Sequence, residues 1–415
     1  MKVLYLSHLF PGGSFVTNQL TGLIDLGHEV VIVTQRPLYD KIIDADVIKY
    51  GLVSKTVYKS VKYRQESGEI VYLPRRGREK VIEIMRKATS NFFKNPLITL
   101  KTLFLIFKEH ENVWEGIDSY LCYYPLLKQK IDVINLTFSD SLAMKEAYFL
   151  SKFLNVPFTL TFRAYDLHKK ENLEALKQSK IAKKASKLIA ISKYNQYTLQ
   201  KTLGIKEEEI SLIHDAINPD FFTRKQKRRE NKIICICRFT PQKGVKYLLE
   251  ACKILQQRKI KHRCIIVGSG REEKNYKEIV NKNNIHSVTF TGLMEQKKVK
   301  KELDSSAVCI LPCIVADNGD LDILPNVLKE AMAMEIPVVT SNISGIEELV
   351  EDGTSGILVP PKDPEAIANA IEKLLKNPKL RDKMGKAGRK KIEQEFNIQI
   401  EIKKLEKVFC DTIKK

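Results

Sequence analysis

Ile233–Gln257 reads IICICRFTPQKGVKYLLEACKILQQ, and its three parts decide the fold. Ile233–Cys237 is a short, continuous apolar run, the mark of a strand buried on both faces. Arg238–Gly244 is polar and holds Pro241 and Gly244, so the chain turns there. From Val245 to Gln257 the period changes, and Val245, Leu248, Leu249, Cys252 and Leu255 fall on one side of a helix. Working outward, the unit of strand, loop and amphipathic helix recurs. Downstream, strands are predicted at Cys264–Val267, Val288–Thr291, Val308–Pro312, Val338–Thr340 and Ile357–Val359, before a lysine-rich, almost wholly helical tail from Asp363. Upstream they are predicted at Lys2–Ser7, Glu29–Thr34, Val133–Leu136, Phe158–Phe162 and Leu188–Ile191, with a helix over Phe15–Leu26. Such alternation implies α/β architecture with parallel sheets covered on both faces.

The run TRKQKRRENK (Thr223–Lys232) separates the two series. It holds six basic residues, one acid and no apolar side chain, so it reads as a solvated linker. Two Rossmann-like, doubly wound domains facing across a cleft are the expected architecture: 1–220, a basic linker 221–232, 233–395, and a C-terminal helix 396–415 packing back on the first domain. The 415 residues suit two or three domains. With 43% apolar and 29% charged residues, the chain is neither disordered nor fibrous.

Seventy Lys and Arg against 50 Asp and Glu leave +20, so an anionic partner is expected, whether nucleic acid, acidic lipid headgroups or phosphorylated small molecules. Two stretches concentrate the charge: Lys55–Lys101 carries 12 basic and 4 acidic residues, and Lys152–Lys193 carries 10 and 3. Each reads either as a solvated lysine surface or as part of a basic, partly aromatic face. No RNA-recognition or helix-turn-helix motif is evident, so no nucleic acid is expected. The eight cysteines form no CxxC pair and have no zinc spacing, so buried free thiols in a reducing compartment are expected. The apolar run at the start is too short for a signal segment. Leu97–Phe107, interrupted by Lys101, falls short of the roughly 20 apolar residues of a span. A cytoplasmic protein is expected.

Three strand-to-helix loops can carry chemistry. Phe10–Ser14 holds Gly12 and Gly13, which either let backbone approach a phosphate or make a tight turn. In CRFTPQKG, Arg238 and Lys243 lie five apart beside a helix start, where two cations can clamp a diphosphate; solvated loop cations are the plainer alternative. The third, PCIVADNGDLDILPNVLKEAMAMEIPVV, ends a strand in an acidic loop. Pro325 suits the first helical turn, where its missing N–H costs nothing. Asn326 and Glu330, four apart, share a helix face, and Asp322 precedes the helix by three residues. A carboxylate beside a diphosphate can take two sugar hydroxyls. Asp320-Leu321-Asp322 also reads as a metal-binding DxD, but the Arg/Lys pair makes a metal dispensable.

Together these elements resemble the donor domain of a GT-B glycosyltransferase of the large retaining family 4. CRFTPQKG resembles its GR-hydrophobic-xxxKG element. Leu321–Val359 resembles its acidic, helix-initiating signature, with the trailing GGxxELVxDGxxG carried by Ser344, Gly345, Glu348, Asp352, Gly353 and Gly356. ISKY (Ile191–Tyr194) and IHDAINPDFF resemble marks of the first domain, and GDLDILPNVLKEAMA with SFVTNQ is most like the exopolysaccharide and colanic-acid subgroup.

The resemblance implies that the first domain is the acceptor side and the second binds a nucleotide-sugar. Arg238 and Lys243 would hold the diphosphate and stabilise the leaving group, Glu330 the ribose hydroxyls, and Asp322 the transferred sugar. Asp322 stands where the family usually has a glutamate one methylene longer. Pro325 and Asn326 start the donor helix, Gly12 and Gly13 would close over the diphosphate, and the backbone at Leu293 and Met294 would meet the base. Where many relatives carry a histidine, this chain has Arg163, which cannot act as a base and would act electrostatically. Ala216 replaces a usual glycine. The resemblance further implies transfer of a UDP- or GDP-sugar without metal or other cofactor to a saccharide or lipid-linked acceptor for cell-surface polysaccharide, with peripheral contact to anionic membrane on its inner face. A sugar-nucleotide epimerase of the same fold is the alternative enzyme; a non-catalytic nucleic-acid-binding protein is the remote one.

Overall fold

The computed structural model describes residues 1–10, 14–37, 45–58, 61–64, 70–72, 123–226 and 228–414, with scattered helical positions between 85 and 104. Most of Lys55–Lys101 and the pair Gly12 and Gly13 lie outside the described residues. The chain divides into two compact units, one of Met1–Phe162, Gln178–Ile189 and Glu406–Lys415, the other of Arg163–Lys177 and Ala190–Leu405.

The first unit contains β1 (Lys2–Phe10), β2 (Glu29–Pro37), β3 (Thr56–Tyr58), the antiparallel pair β4 (Val61–Arg64) and β5 (Ile70–Tyr72), then β6 (Val133–Leu136), β7 (Phe158–Phe162) and most of β8 (Lys187–Ala190). Its main strands run in the order β3-β2-β1-β6-β7-β8. Leu4 pairs in parallel with Val31 on one side and Ile134 on the other. Val3, Leu4, Tyr5 and Leu6 are all buried, which is why the sequence there is apolar without alternation.

The second unit begins its own series after β9 (Ile210–Leu212). It contains β10 (Lys232–Ile236), β11 (Arg263–Val267), β12 (Val288–Gly292), β13 (Val308–Leu311), β14 (Val338–Ser341) and β15 (Gly356–Val359), in the order β12-β11-β10-β13-β14-β15. Every neighbouring pair is parallel. The strands start and end within two residues of their expected positions. The order reverses between β10 and β13, so the loops leaving their carboxyl ends diverge and open a crevice, the usual ligand position of a doubly wound sheet. CRFTPQKG follows β10 and the acidic loop follows β13. The topology therefore brings the two richest loops together.

Packing explains the remaining signature residues. The small residues of AMAME let helix Asn326–Ala333 lie against helix Pro378–Glu395, where a Cβ on Gly388 would sit 3.4 Å from Met332. Glu348 takes His214 Nε2 at 2.7 Å and the Lys193 N–H at 2.8 Å, joining three of the segments that carried the resemblance. The His214 N–H also donates to Glu401 at 2.8 Å, and these two carboxylates outweigh burial, raising the imidazole above its ordinary value. The basic run Thr223–Lys232 is only partly solvated: Lys232 is buried on Glu302 at 2.7 Å and Arg228 reaches Asp382 at 2.5 Å. The seven described cysteines are free thiols, six of them spread through the second unit and five of those buried.

Candidate active site

Phe239 anchors the loop after β10. Its buried ring meets Tyr276 and Phe290 edge-on at 5.6 and 6.0 Å, leaving Arg238 exposed beside it. A tight turn over Pro241–Lys243 follows, and Gly244 takes a left-handed φ of 65° to start helix Val245–Gln257. A Cβ on Gly244 would stand 1.8 Å from the Pro312 carbonyl oxygen. Only glycine lets this loop lie so close to the end of β13. The sequence places Gly244 at the turn before the helix; the structure uses it for loop-to-loop packing as well.

The same approach is stitched by hydrogen bonds. The Ile314 N–H donates to the Gln242 carbonyl at 2.9 Å, and Gln242 Nε2 donates to Asp320 at 2.8 Å. Lys243 Nζ then reaches Asp322 Oδ2 at 2.6 Å, with both side chains partly exposed. Cys313 Sγ lies 3.6 Å from the same oxygen. Burial pulls the Lys243 ammonium down, but Asp322 prevails and holds it above its ordinary value. Burial and the neighbouring Asp322 raise Asp320, against the pull of Lys243 and Arg238. Both cations named from the sequence therefore act on one acidic loop.

Four residues past Asp322 the chain enters helix Asn326–Ala333. Pro325 caps it with φ −58° instead of occupying its first turn; the missing N–H is equally harmless there. Asn326 Oδ1 accepts from Lys329 Nζ at 2.9 Å. Glu330 stands on the same helix, partly exposed, and its carboxylate has no side-chain hydrogen bond among the described residues. Burial pushes it up to about 7, with Lys329 opposing. Leu293 and Met294 follow β12: Leu293 is 73% exposed, whereas Met294 packs on the core.

Arg163 is placed differently from its expected role. It is only 5% exposed, and its Nε and Nη2 donate to Asp215 at 3.0 and 2.9 Å. Its backbone N–H donates to Asp166 at 2.8 Å, starting the short helix Ala164–His168. This forked ion pair spends the guanidinium on the protein itself.

The family model for glycosyl transferases group 1 matches residues 217–391. Over nearly the whole length, the amylovoran biosynthesis glycosyltransferase AmsK of Erwinia amylovora is 27% identical, covering 98% of this chain and 99% of its own. The putative colanic acid biosynthesis glycosyltransferase WcaL of Escherichia coli K12 is 27% identical over 96% and 97%. This chain carries a group 1 glycosyltransferase domain. Among solved structures, Anabaena HepE in complex with UDP and glucose superposes with a TM-score of 0.69 at 16% identity, covering 99% of this chain and 100% of that one. A glycosyltransferase from Rickettsia africae gives 0.69 at 18%, over 100% and 98%. These share the GT-B fold of two Rossmann-like domains.

The group 1 domain holds Arg238, Lys243, Leu293, Met294, Asp322, Pro325, Asn326 and Glu330; Arg163 lies upstream of it. Two participants were missed from sequence. Lys329 is fully buried, with its Nζ on the Asp215 carbonyl and on Asn326. Its signal was a lysine on the apolar side of a helix, between Leu328 and Ala331. Asp215, in IHDAINPDFF, balances Arg163, and neither residue reveals the pairing by spacing.

Proposed function

We propose that this glycosyltransferase is a retaining family 4 enzyme that moves a sugar from a UDP- or GDP-sugar to a saccharide or lipid-linked acceptor in cell-surface polysaccharide or glycoconjugate biosynthesis. The carrying observation is the Lys243–Asp322 pair at the sheet's switch point. An ammonium held charged by a displaceable carboxylate, with Arg238 exposed alongside, is poised to exchange that carboxylate for a diphosphate. Asp322, once released, can take hydroxyls of the transferred sugar, while Glu330 takes those of the ribose. The full-length relatives named for amylovoran and colanic acid support the acceptor class, and the UDP complex of HepE supports a nucleotide donor.

In the step itself, the bond from the anomeric carbon to the diphosphate oxygen breaks and a bond to the acceptor oxygen forms on the same face. The acceptor proton passes to the departing phosphate oxygen. Lys243 and Arg238 stabilise the charge that grows there, a preorganised electrostatic role. Asp320 and Asp322 are engaged by Gln242 and Lys243. Transfer is therefore expected to survive EDTA, measured as product formation that also separates transfer from epimerisation. Complete loss restored by Mn²⁺ would favour a metal on the Asp320–Asp322 pair, and epimer without transfer would favour the epimerase.

We also propose peripheral contact with anionic membrane, supported by the +20 charge and the two basic stretches. No described helix is long and apolar enough to cross a membrane. Binding to vesicles of phosphatidylglycerol in phosphatidylcholine should weaken with salt and with Lys80→Glu and Lys87→Glu. Indifference to both removes the membrane contact.

A further inference from the structure

Beneath the helix start lie three buried charges, Arg163, Asp215 and Lys329, that the proposed transfer does not itself use. Lys329 has no exposed surface. Its two hydrogen-bond acceptors, the Asp215 carbonyl and Asn326 Oδ1, are both uncharged. A buried ammonium satisfied only by neutral acceptors still needs a countercharge nearby, because desolvation penalises it heavily. The Asp215 carboxylate is already engaged by the Arg163 guanidinium at 2.9 Å. The other carboxylate next to Lys329 along the helix is Glu330. Arg163 and Asp215 cancel one another, so a charged Lys329 is balanced within this set of four only when Glu330 is ionised too. Also facing Lys329 are Glu401 and the ring of Phe396, the latter 5.9 Å from Nζ.

We propose that Lys329 is a positioning residue of the donor site: its buried ammonium orients Asn326 at the helix start and supplies the positive charge against which Glu330 carries its carboxylate to the ribose. The inference rests on the reading of Glu330 as the ribose ligand. Holding the Asn326 oxygen fixes the orientation of that side chain at the helix start. A neutral residue at 329 would leave Glu330 in a half-buried site without the Lys329 charge that opposes its protonation, and a protonated carboxyl has lost its charge and turned one acceptor site into a donor.

Two titrations bound the range over which the arrangement works. Burial raises Glu330 to about 7 against the pull of Lys329. Burial lowers Lys329 to about 8, while Asp215 and Glu330 hold it up and Arg163 pushes it down. Donor affinity should therefore peak between the two and fall on either side, because Glu330 gains a proton below and Lys329 loses one above.

The test measures the binding of UDP-glucose and GDP-mannose by titration calorimetry from pH 6 to 8.5, beside their 2′,3′-dideoxyribose analogues. For whichever natural probe binds, Kd should rise by about tenfold from pH 7.5 to 6, approaching the limit for one proton lost per ligand bound. The dideoxy analogue should bind weakly and show no acid limb. Lys329→Met, close in volume and free of charge, should weaken binding about tenfold at pH 7 and move the acid limb upward by about one pH unit. Lys329→Met/Glu330→Gln should show no acid limb, like Glu330→Gln alone, and should differ from it only by the loss of the Lys329 hold on Asn326. An unchanged acid limb in Lys329→Met overturns the proposal. Should that variant not fold, the native chain decides alone: a profile flat from pH 6 to 8.5, or one shared by the dideoxy analogue, overturns it. If neither natural probe binds at any pH, the donor reading fails and carries this inference with it.

Discussion

Lys243→Ala and Arg238→Ala should each lower turnover by about two to three orders of magnitude, the usual cost of removing one preorganised donor to a developing anion. The two losses have different side effects, which makes the pair informative. Arg238 is exposed, so its removal leaves the fold as it was. Lys243 is the partner of Asp322, and truncating it frees a carboxylate still 24% exposed, which water can solvate. Melting temperatures should thus stay close to that of the native chain while the rates collapse. Initial rates with a panel of UDP- and GDP-sugars, set beside thermal melts of each variant, provide the comparison. Near-normal rates in either variant would remove that residue from the diphosphate grip.

Arg163→Ala should act in the opposite way, striking stability first. It strands the Asp215 carboxylate, 8% exposed, without its forked partner. Leaving a buried charge uncompensated costs about 3–5 kcal/mol. At roughly 2–4 °C per kcal/mol for a domain of this size, the melting transition should fall by roughly 6–20 °C. Arg163→Met/Asp215→Asn removes both charges together and should recover most of that loss, since a buried pair replaced by neutral groups of similar volume is often close to neutral. An unshifted transition in Arg163→Ala would show that the pair does not balance the buried charge. Arg163 thus has a structural partner in Asp215, and its expected electrostatic contact with substrate is read separately, from the turnover of Arg163→Met/Asp215→Asn.

The fold was legible because buried parallel strands announce themselves as uninterrupted apolar runs. Ile233–Cys237 and Val308–Pro312 could hardly be anything else beside amphipathic helices, and β10 and β13 formed there. Strand order was not legible, yet it is what brings the loop of Lys243 to the loop of Asp322. The site residues could be named because their motifs resemble a known family, but their pairing could not. Nothing in the spacing says that Lys243 rests on Asp322, 79 residues away, or that Gln242 ties down Asp320. The buried charges were the least visible. Arg163, Asp215 and Lys329 come from three separate segments, and only Lys329, on the apolar side of its helix, carries a sign of burial. Gly12 and Gly13 lie outside the described residues, so their expected closure over the diphosphate remains a sequence-based expectation.

The most direct measurement is a crystal structure of the chain with an intact or hydrolysed nucleotide-sugar bound. Lys243 Nζ should have left Asp322 and lie about 2.8 Å from a diphosphate oxygen, with the Arg238 guanidinium on the same diphosphate. A nucleotide bound with Lys243 still on Asp322, and with Arg238 turned to solvent, would contradict the central claim that these two cations grip the leaving group.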